Sequence, residues 1–153
     1  MRQVVIMRGP SGVGKSHYVR EHFPDALVCS ADSFFTKLVD GELQYRYDKL
    51  KLSEAHNFCM FEFIEALADE VPLVVVDNTN ARLWEYRNYR RLAEVHSYRV
   101  RVVEMMPVSI PAMQACVTRA VHGVPEDVVA RQCMWFETDP KAEKVHVDAG
   151  VQA

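Results

Sequence analysis

The stretch GPSGVGKS, residues 9–16, decides the fold of this chain. It follows the apolar run VVIM at 4–7 and fits the pattern G-x-x-x-x-G-K-[ST] of a phosphate-binding loop between a strand and a helix. Its glycines let backbone N–H groups point at an anion, and the following helix adds its N-terminal dipole. In this pattern Lys15 reaches the β- and γ-phosphates and the Ser16 hydroxyl is a ligand of Mg²⁺. The stretch therefore predicts a site for ATP, or for another nucleoside triphosphate such as GTP, with Mg²⁺.

Length and composition limit the class of protein. A chain of 153 residues suffices for one domain with a substantial core, and 49% hydrophobic with 25% charged residues is typical of a soluble globular protein. The apolar stretch at the N-terminus is short and runs into the phosphate loop, so we expect no membrane segment and a cytoplasmic location. The net charge of -3 offers no general attraction to nucleic acid, so any such contact must be local.

Apolar runs and helical periodicities alternate along the chain. Strands are predicted at about 3–8, 26–30, 73–76 and 98–105, and helices at about 15–23, 49–69 and 82–95, with a polar loop over 36–47. This alternation predicts an α/β fold of three layers, the P-loop kinase-like fold, with a central parallel sheet in the order 2-3-1-4. We expect one kinase domain over 1–138 and a C-terminal tail over 139–153, with a candidate edge strand at 145–147 and mobile last residues.

Two carboxylates follow predicted strands. Asp32 comes after ALVCS at 26–30, and Asp77 ends the apolar run at 73–76. Because the carboxyl ends of parallel strands meet at one edge of a sheet, we expect both side chains to face the phosphate loop. Asp32 is placed to accept a proton from a substrate, although it also suits the N-cap of a helix that begins at Ser33. Asp77 is placed to organise the metal together with Ser16.

Two further helices at about 109–137 meet at the corner VHGVP, residues 121–125, and predict a lid. Pro125 opens the second helix, while Arg119 and His122 lie just before the corner. A lid that closes over phosphates excludes water and brings such side chains onto the nucleotide. The alternative for Arg119 is a helix C-terminal charge that complements the dipole. The nucleotide site is predicted to comprise Gly9, Pro10, Ser11, Gly12, Val13, Gly14, Lys15, Ser16, His17, Arg119 and His122.

These motifs together resemble the polynucleotide 5′-hydroxyl kinases of the phage polynucleotide kinase family and the P-loop kinase domains related to them. The resemblance spans about 4–137 and is carried by GPSGVGKS, SAD at 30–32, YRYD at 45–48, VVVDNTN at 74–80 and TRAVHGVPEDVV at 118–129. It implies that Asp32 is the general base for the 5′-hydroxyl. It also implies that Lys15 and Ser16 bind phosphate and Mg²⁺, that Asp77 is the acidic residue behind the metal, and that Arg119 contacts the transferring phosphoryl group.

The chain departs from this family at Phe35, where the phage enzymes have an arginine that holds the acceptor phosphate. Arg46, or Arg82 and Arg87, are the candidates to replace it, and Phe34 or Phe35 is a candidate stacking surface for a base. The acceptor side is thus predicted to comprise Asp32, Phe35, Arg46, Asn80, Arg82 and Arg87.

The expected activity is ATP-dependent phosphorylation of a 5′-hydroxyl on DNA or RNA, with the nucleic acid as the substrate. One alternative is a kinase for a nucleoside or another small alcohol, because such enzymes share the loop, the carboxylate and the lid. The other is an ATP-binding module without transfer activity. The sequence indicates no protein partner.

Overall fold

The computed structural model describes residues 1–120 and 123–149. Its strands are β1 (Gln3–Arg8), β2 (Leu27–Cys29), β3 (Thr36–Val39), β4 (Glu42–Tyr45), β5 (Leu73–Asp77), β6 (Arg99–Pro107) and β7 (Glu143–Val147). Its α-helices are α1 (Lys15–His22), α2 (Leu52–Ala68), α3 (Leu83–Val95), α4 (Ile110–Arg119) and α5 (Glu126–Met134), with short 3₁₀ helices at Ala31–Phe35 and Lys49–Lys51. Over the described ranges, no helix has the length and apolar character needed to cross a membrane.

A parallel sheet in the order β2-β5-β1-β6-β7 forms the centre of the fold. The side chains of 4–7 in β1 and 74–76 in β5 are completely buried, as expected for inner strands whose two faces are both covered by helices. Successive residues of β1 enter different cores, because side chains alternate along a strand. Val4 and Ile6 pack with α2 and α3, whereas Val5 and Met7 pack with α1, α4 and α5.

The predicted α/β fold with a parallel sheet is confirmed, and one strand extends the predicted order. The four predicted strands correspond to β2, β5, β1 and β6, and β7 adds a fifth strand beside β6. The candidate edge strand at 145–147 is the last part of β7. Asp139 is buried and accepts hydrogen bonds from Tyr86 Oη at 2.6 Å and Arg90 Nη2 at 3.1 Å, so the predicted tail begins inside the domain. Residues 150–153, predicted to be mobile, lie outside the described residues.

The prediction of a loop over 36–47 is wrong. This segment contains the antiparallel hairpin β3-β4, which turns at Asp40 and Gly41 with φ angles of 51° and 82°. Asp-Gly with two positive φ angles is the turn that best matches the twist of a two-stranded hairpin. The hairpin leads from Phe35 back to Tyr45, close to the end of β2.

The segment after β2 also differs from its prediction. A 3₁₀ helix begins at Ala31, and its N-cap is Ser30, whose Oγ accepts a hydrogen bond from the Asp32 N–H at 3.2 Å. The prediction of a helix that begins at Ser33 with Asp32 as its N-cap is therefore wrong. Because Ser30 supplies the cap, capping does not account for the carboxylate of Asp32, which is exposed.

The end of β1 is held by a completely buried arginine, Arg8. Its guanidinium pairs with the buried Glu104 of β6 and donates to the carbonyls of Asn80 at 2.8 Å, Ala81 at 3.0 Å and Glu137 at 2.6 Å. The guanidinium carbon also lies 4.7 Å from the ring centroid of Tyr86 and 4.4 Å from that of Phe136. One side chain thus joins the strand before the phosphate loop to β6, to the segment after β5 and to the segment after α5.

Arg8→Ala should lower the free energy of unfolding by about 3 kcal/mol or more, because it removes the buried cation from Glu104 and leaves that carboxylate with Lys144 at 2.8 Å and the Asp139 N–H at 2.7 Å. Arg101→Ala is the matched control. Arg101 lies on β6, the strand of Glu104, and pairs with Glu143 of β7 at 2.8 Å in a partly exposed position. The Arg101→Ala change should lower the free energy of unfolding by at most about 1 kcal/mol. Urea unfolding of both variants measures the difference, and equal small losses would contradict the role given to Arg8.

Candidate active site

The phosphate loop is shaped by close contact with the lid helix α4. Gly12 has a φ of 77°, and a Cβ added to it would lie 1.9 Å from the carbonyl oxygen of Cys116 in α4. Arg119, at the end of α4, donates from Nε to the carbonyl oxygen of Gly12 at 3.2 Å. The lid helix therefore packs directly on the loop, and only a glycine fits at this position.

The second lid helix, α5, contacts the loop one residue earlier. Gln132 accepts a hydrogen bond from the backbone N–H of Ser11 at 2.8 Å and donates from Nε2 to Ser11 Oγ at 3.2 Å. Both lid helices thus touch the loop through adjacent residues. Any movement of either helix would change the position of the loop backbone that is predicted to bind phosphate.

Lys15 and Ser16 lie at the start of α1, where the loop ends. Lys15 Nζ donates to the carbonyls of Gly9 at 2.9 Å and Pro10 at 3.1 Å, across the beginning of the loop. Burial lowers the pKa of Lys15, while the negative charges of Asp77 and Asp32 oppose that shift. Asp77 is the last residue of β5 and Asp32 follows the neighbouring strand β2, so both carboxylates lie at the edge of the sheet where β1 leads into the loop.

Ser16 and Asp77 form a pair of oxygen donors. Ser16 Oγ donates to Asp77 Oδ2 at 2.8 Å. Mg²⁺ prefers hard oxygen ligands and commonly takes only one or two from carboxylates, the rest coming from phosphates and water. Among the described residues no group of three or more His, Cys, Asp or Glu side chains could hold a metal by itself. The Ser16 and Asp77 pair fits a metal that arrives with a nucleotide.

Asp32 is held by a tyrosine that the sequence gives no reason to connect with it. Tyr45 Oη donates to Asp32 Oδ1 at 3.2 Å, and the Tyr45 ring meets Phe35 edge to face with 6.1 Å between centroids. Burial, and then the adjacent Asp32 carboxylate, raise the pKa of Tyr45, so its hydroxyl remains protonated and able to donate. The hairpin β3-β4 thereby fixes one oxygen of the exposed carboxylate.

The DNTN segment joins strand ends and does not cap α3. Asn78 Oδ1 accepts from the Ala31 N–H at 2.9 Å, and the Gly9 N–H donates to the Thr79 carbonyl at 2.9 Å. Asn80 is buried and donates from Nδ2 to the Met7 carbonyl at 2.9 Å. Arg82 occupies the N-cap position of α3 without a side-chain cap. Because Asn80 is buried, the prediction that it contacts an acceptor is wrong.

The remaining predicted residues differ in whether a ligand can reach them. Phe35 is buried in the core between α2 and the sheet, so the prediction that it stacks on a base is wrong. Arg46 is exposed and donates to Gln44 Oε1 at 3.0 Å, next to the hairpin. Arg87 is exposed on α3, and His17 contacts Glu21 at 3.3 Å on the same helix. His122 lies outside the described residues.

Gly12→Ala should disrupt the contact between the loop and α4, whereas Gly41→Ala should not disturb the fold. The two glycines have similar φ angles, 77° and 82°, so alanine suffers a similar backbone strain of about 1–2 kcal/mol at both positions. A Cβ at Gly41 meets nothing within 4 Å. Thermal unfolding should therefore show a clearly larger loss of stability for Gly12→Ala. Equal losses would contradict the packing described for the loop.

Comparison of the sequence with known proteins identifies a family to which it is similar. The model of a family described as an AAA domain matches residues 4–139. The human NEDD4-binding protein 2 is 30% identical over 137 residues, which cover 88% of this chain and 8% of that protein. The human YLP motif-containing protein 1 is 25% identical over 164 aligned residues, covering 92% of this chain and 7% of that protein. The chain thus spans less than a tenth of these two relatives.

Solved structures share the fold. A sugar kinase from Janibacter sp. HTCC2649 has a TM-score of 0.58 at 16% identity, covering 99% of this chain and 88% of that chain. The AvrRxo1-ORF1:-ORF2 complex with ATP has a TM-score of 0.62 at 18% identity, covering 86% of this chain and 46% of that chain. At such identities the likeness shows the fold alone. The family match covers the phosphate loop, both carboxylates and the helices α4 and α5, and the chain therefore belongs to this family of AAA domains.

Proposed function

We propose that this domain transfers the γ-phosphate of ATP to the 5′-hydroxyl of a DNA or RNA strand. The observation that carries the proposal is the exposed carboxylate of Asp32, which follows β2 at the sheet edge that carries the phosphate loop and accepts a hydrogen bond from Tyr45 at 3.2 Å. Ser16 and Asp77 form the candidate metal pair and Ser30 caps the 3₁₀ helix, so neither of these roles is assigned to Asp32. Such a group suits the removal of a proton from an acceptor hydroxyl.

In the proposed transfer, each of these groups has a separate role. The loop amides and Lys15 bind the phosphates, and Mg²⁺ held by Ser16 and Asp77 supplies positive charge at the phosphate oxygens when it is bound. The acceptor oxygen forms a bond to the γ-phosphorus while Asp32 accepts its proton, and the bond from that phosphorus to the ADP oxygen breaks. The hydrogen bond from Tyr45 keeps one oxygen of Asp32 fixed during this step.

Arg119 is the candidate for stabilising the charge that develops on the transferring group. Its hydrogen bond to the Gly12 carbonyl places the guanidinium over the loop, at the end of the lid helix. A cation held in place by the protein stabilises a transition state without the cost of reorganising water. The alternative role as a dipole partner of α4 does not require this contact with the loop.

The choice of a polynucleotide acceptor rests on the resemblance to the 5′-hydroxyl kinases and on exposed arginines near the strand ends. Arg46 lies one residue after the hairpin, and Arg82 lies at the start of α3. One observation favours a second candidate, because the similar structure from Janibacter is described as a sugar kinase. A small alcohol would need the same base and loop but no contact to an internucleotide phosphate.

The test is a comparison of acceptors with γ-labelled ATP: 5′-hydroxyl oligoribonucleotides and oligodeoxyribonucleotides, the corresponding nucleosides, and gluconate. We expect label on an oligonucleotide at a kcat/KM well above that for any nucleoside or for gluconate. A preference for gluconate or for a nucleoside would replace the proposed acceptor by the small alcohol.

Asp32→Asn should lower kcat by about 100- to 10,000-fold and leave ATP affinity nearly unchanged, because a general base acts on the acceptor. Asp25→Asn is the matched control, since Asp25 is an exposed carboxylate that precedes β2 at its other end. It should leave kcat unchanged. A normal rate for Asp32→Asn, or equal effects of the two changes, would remove Asp32 from the reaction whatever the acceptor is.

A further inference from the structure

Both tryptophans of the chain line one cleft outside the site described above. The cleft has a volume of about 400 Å³ and lies between the start of α3 and the length of α5. Trp84 comes from α3 and Trp135 follows α5, and the chain contains no other tryptophan. We call this feature the tryptophan cleft.

The indole rings in this cleft are largely uncovered. Trp84 is 66% exposed and Trp135 is 63% exposed, although tryptophan is on average one of the more deeply buried residue types. A single exposed aromatic side chain needs no explanation, but two that share a concave surface offer flat apolar area to a ligand. Flat aromatic surfaces suit stacking with another ring.

Two arginines accompany the rings. Arg82 Nη1 donates to the Trp135 carbonyl at 3.1 Å, which holds the guanidinium at the backbone of the residue that follows α5. Arg131 also lines the cleft, and its side chain is 66% exposed. Their acidic neighbours are Glu137, 3.7 Å from Arg82, Asp127, 3.9 Å from Arg131, and Glu85 in the cleft wall. Aromatic faces next to guanidinium groups are the usual combination for single-stranded nucleic acid.

The tryptophan cleft is connected to the phosphate loop. Gln132, which lines the cleft, makes the two hydrogen bonds to Ser11 of the loop. The other wall starts at Ala81, four residues after the end of β5, and β5 lies between β1 and β2 in the sheet. Asp32 follows β2, so this wall begins on the half of the sheet edge that carries the proposed general base.

We propose that the tryptophan cleft binds a nucleobase of the acceptor strand by stacking on Trp84 and Trp135, with Arg82 and Arg131 next to the adjoining phosphodiester. This inference rests on the proposed function for the identity of the strand as an acceptor. The proposal assigns binding of the acceptor strand to residues on and next to α3 and α5, because Phe35 is buried and takes no part.

Tryptophan fluorescence tests the proposal without a label, because both tryptophans lie in the cleft. The probes are a 5′-hydroxyl decamer of uridylate or thymidylate, an abasic decamer with the same backbone, ATP alone, and gluconate. We expect the decamer with bases to quench the fluorescence saturably, and the abasic decamer and gluconate to leave it unchanged. Equal quenching by the abasic strand would overturn the proposal, and so would quenching by ATP or gluconate without quenching by the decamer.

Kinetics of single variants provide the second readout. Trp84→Ala and Trp135→Ala should each raise KM for the oligonucleotide by about tenfold, since a base stacked on an aromatic side chain contributes on this scale, and should leave KM for ATP unchanged. Phe61→Ala is the control, because Phe61 is 68% exposed on α2 and does not line the cleft. Unchanged KM for the oligonucleotide in both tryptophan variants would overturn the proposal.

The two readouts separate this inference from the proposed function. Quenching by the strand without phosphate transfer would reject the kinase activity and support the cleft as a strand-binding site. Transfer to oligonucleotides without quenching, at normal KM in the tryptophan variants, would support the kinase activity and reject the cleft.

Discussion

The buried guanidinium of Arg8 is the interaction on which the arrangement of the site depends. It lies at the last residue of β1, immediately before the phosphate loop, and binds Glu104 of β6 together with the backbone after β5 and after α5. A buried charge is tolerated only where opposite charge and hydrogen bonds compensate its loss of water. These segments are therefore fixed relative to the loop, and two of them follow elements of the candidate site, since Asp77 ends β5 and Gln132 of α5 contacts the loop.

Side chains with different proposed roles lie together at one edge of the sheet. The Ser16 and Asp77 pair lies under the loop and suits a metal, while Asp32 lies at the end of the neighbouring strand β2 and is oriented by Tyr45. Because the two carboxylates lie at the ends of different strands, Asp77 is available to a metal and Asp32 to a proton in the proposed reaction. The helices α4 and α5 contact the loop through Gly12 and Ser11, so a shift of either helix would also move the loop backbone.

The sequence predicts those parts of this arrangement that depend on local pattern. The central strands were predictable because their apolar runs are buried on both faces, and the loop because its motif fixes both conformation and chemistry. The hairpin β3-β4 was missed because each of its strands has only four residues, although Asp40 and Gly41 do carry a turn signal. The burial of Phe35 depends on α2 and on Tyr45, and no local pattern reveals such packing.

The partners of Arg8 lie beyond any local pattern, since Glu104 and the Glu137 carbonyl are 96 and 129 residues away along the chain. Asn80 illustrates the same limit. Its residue type suits a turn, a cap or a ligand, and only the fold shows that it binds the carbonyl of Met7. The tryptophan cleft likewise depends on two helices that are separated in sequence by the whole of β6 and α4.

The central claim is that the loop at 9–16 binds the phosphates of ATP and that the domain transfers one of them. Transfer of label from γ-labelled ATP to a 5′-hydroxyl oligonucleotide, by the wild type and by Lys15→Ala, tests it most directly, with thermal unfolding as the check that both are folded. Because Lys15 serves the phosphates and lies outside the two cores, we expect a folded variant whose transfer rate falls by about 100-fold or more. A folded Lys15→Ala variant that transfers phosphate at the wild-type rate would contradict the account.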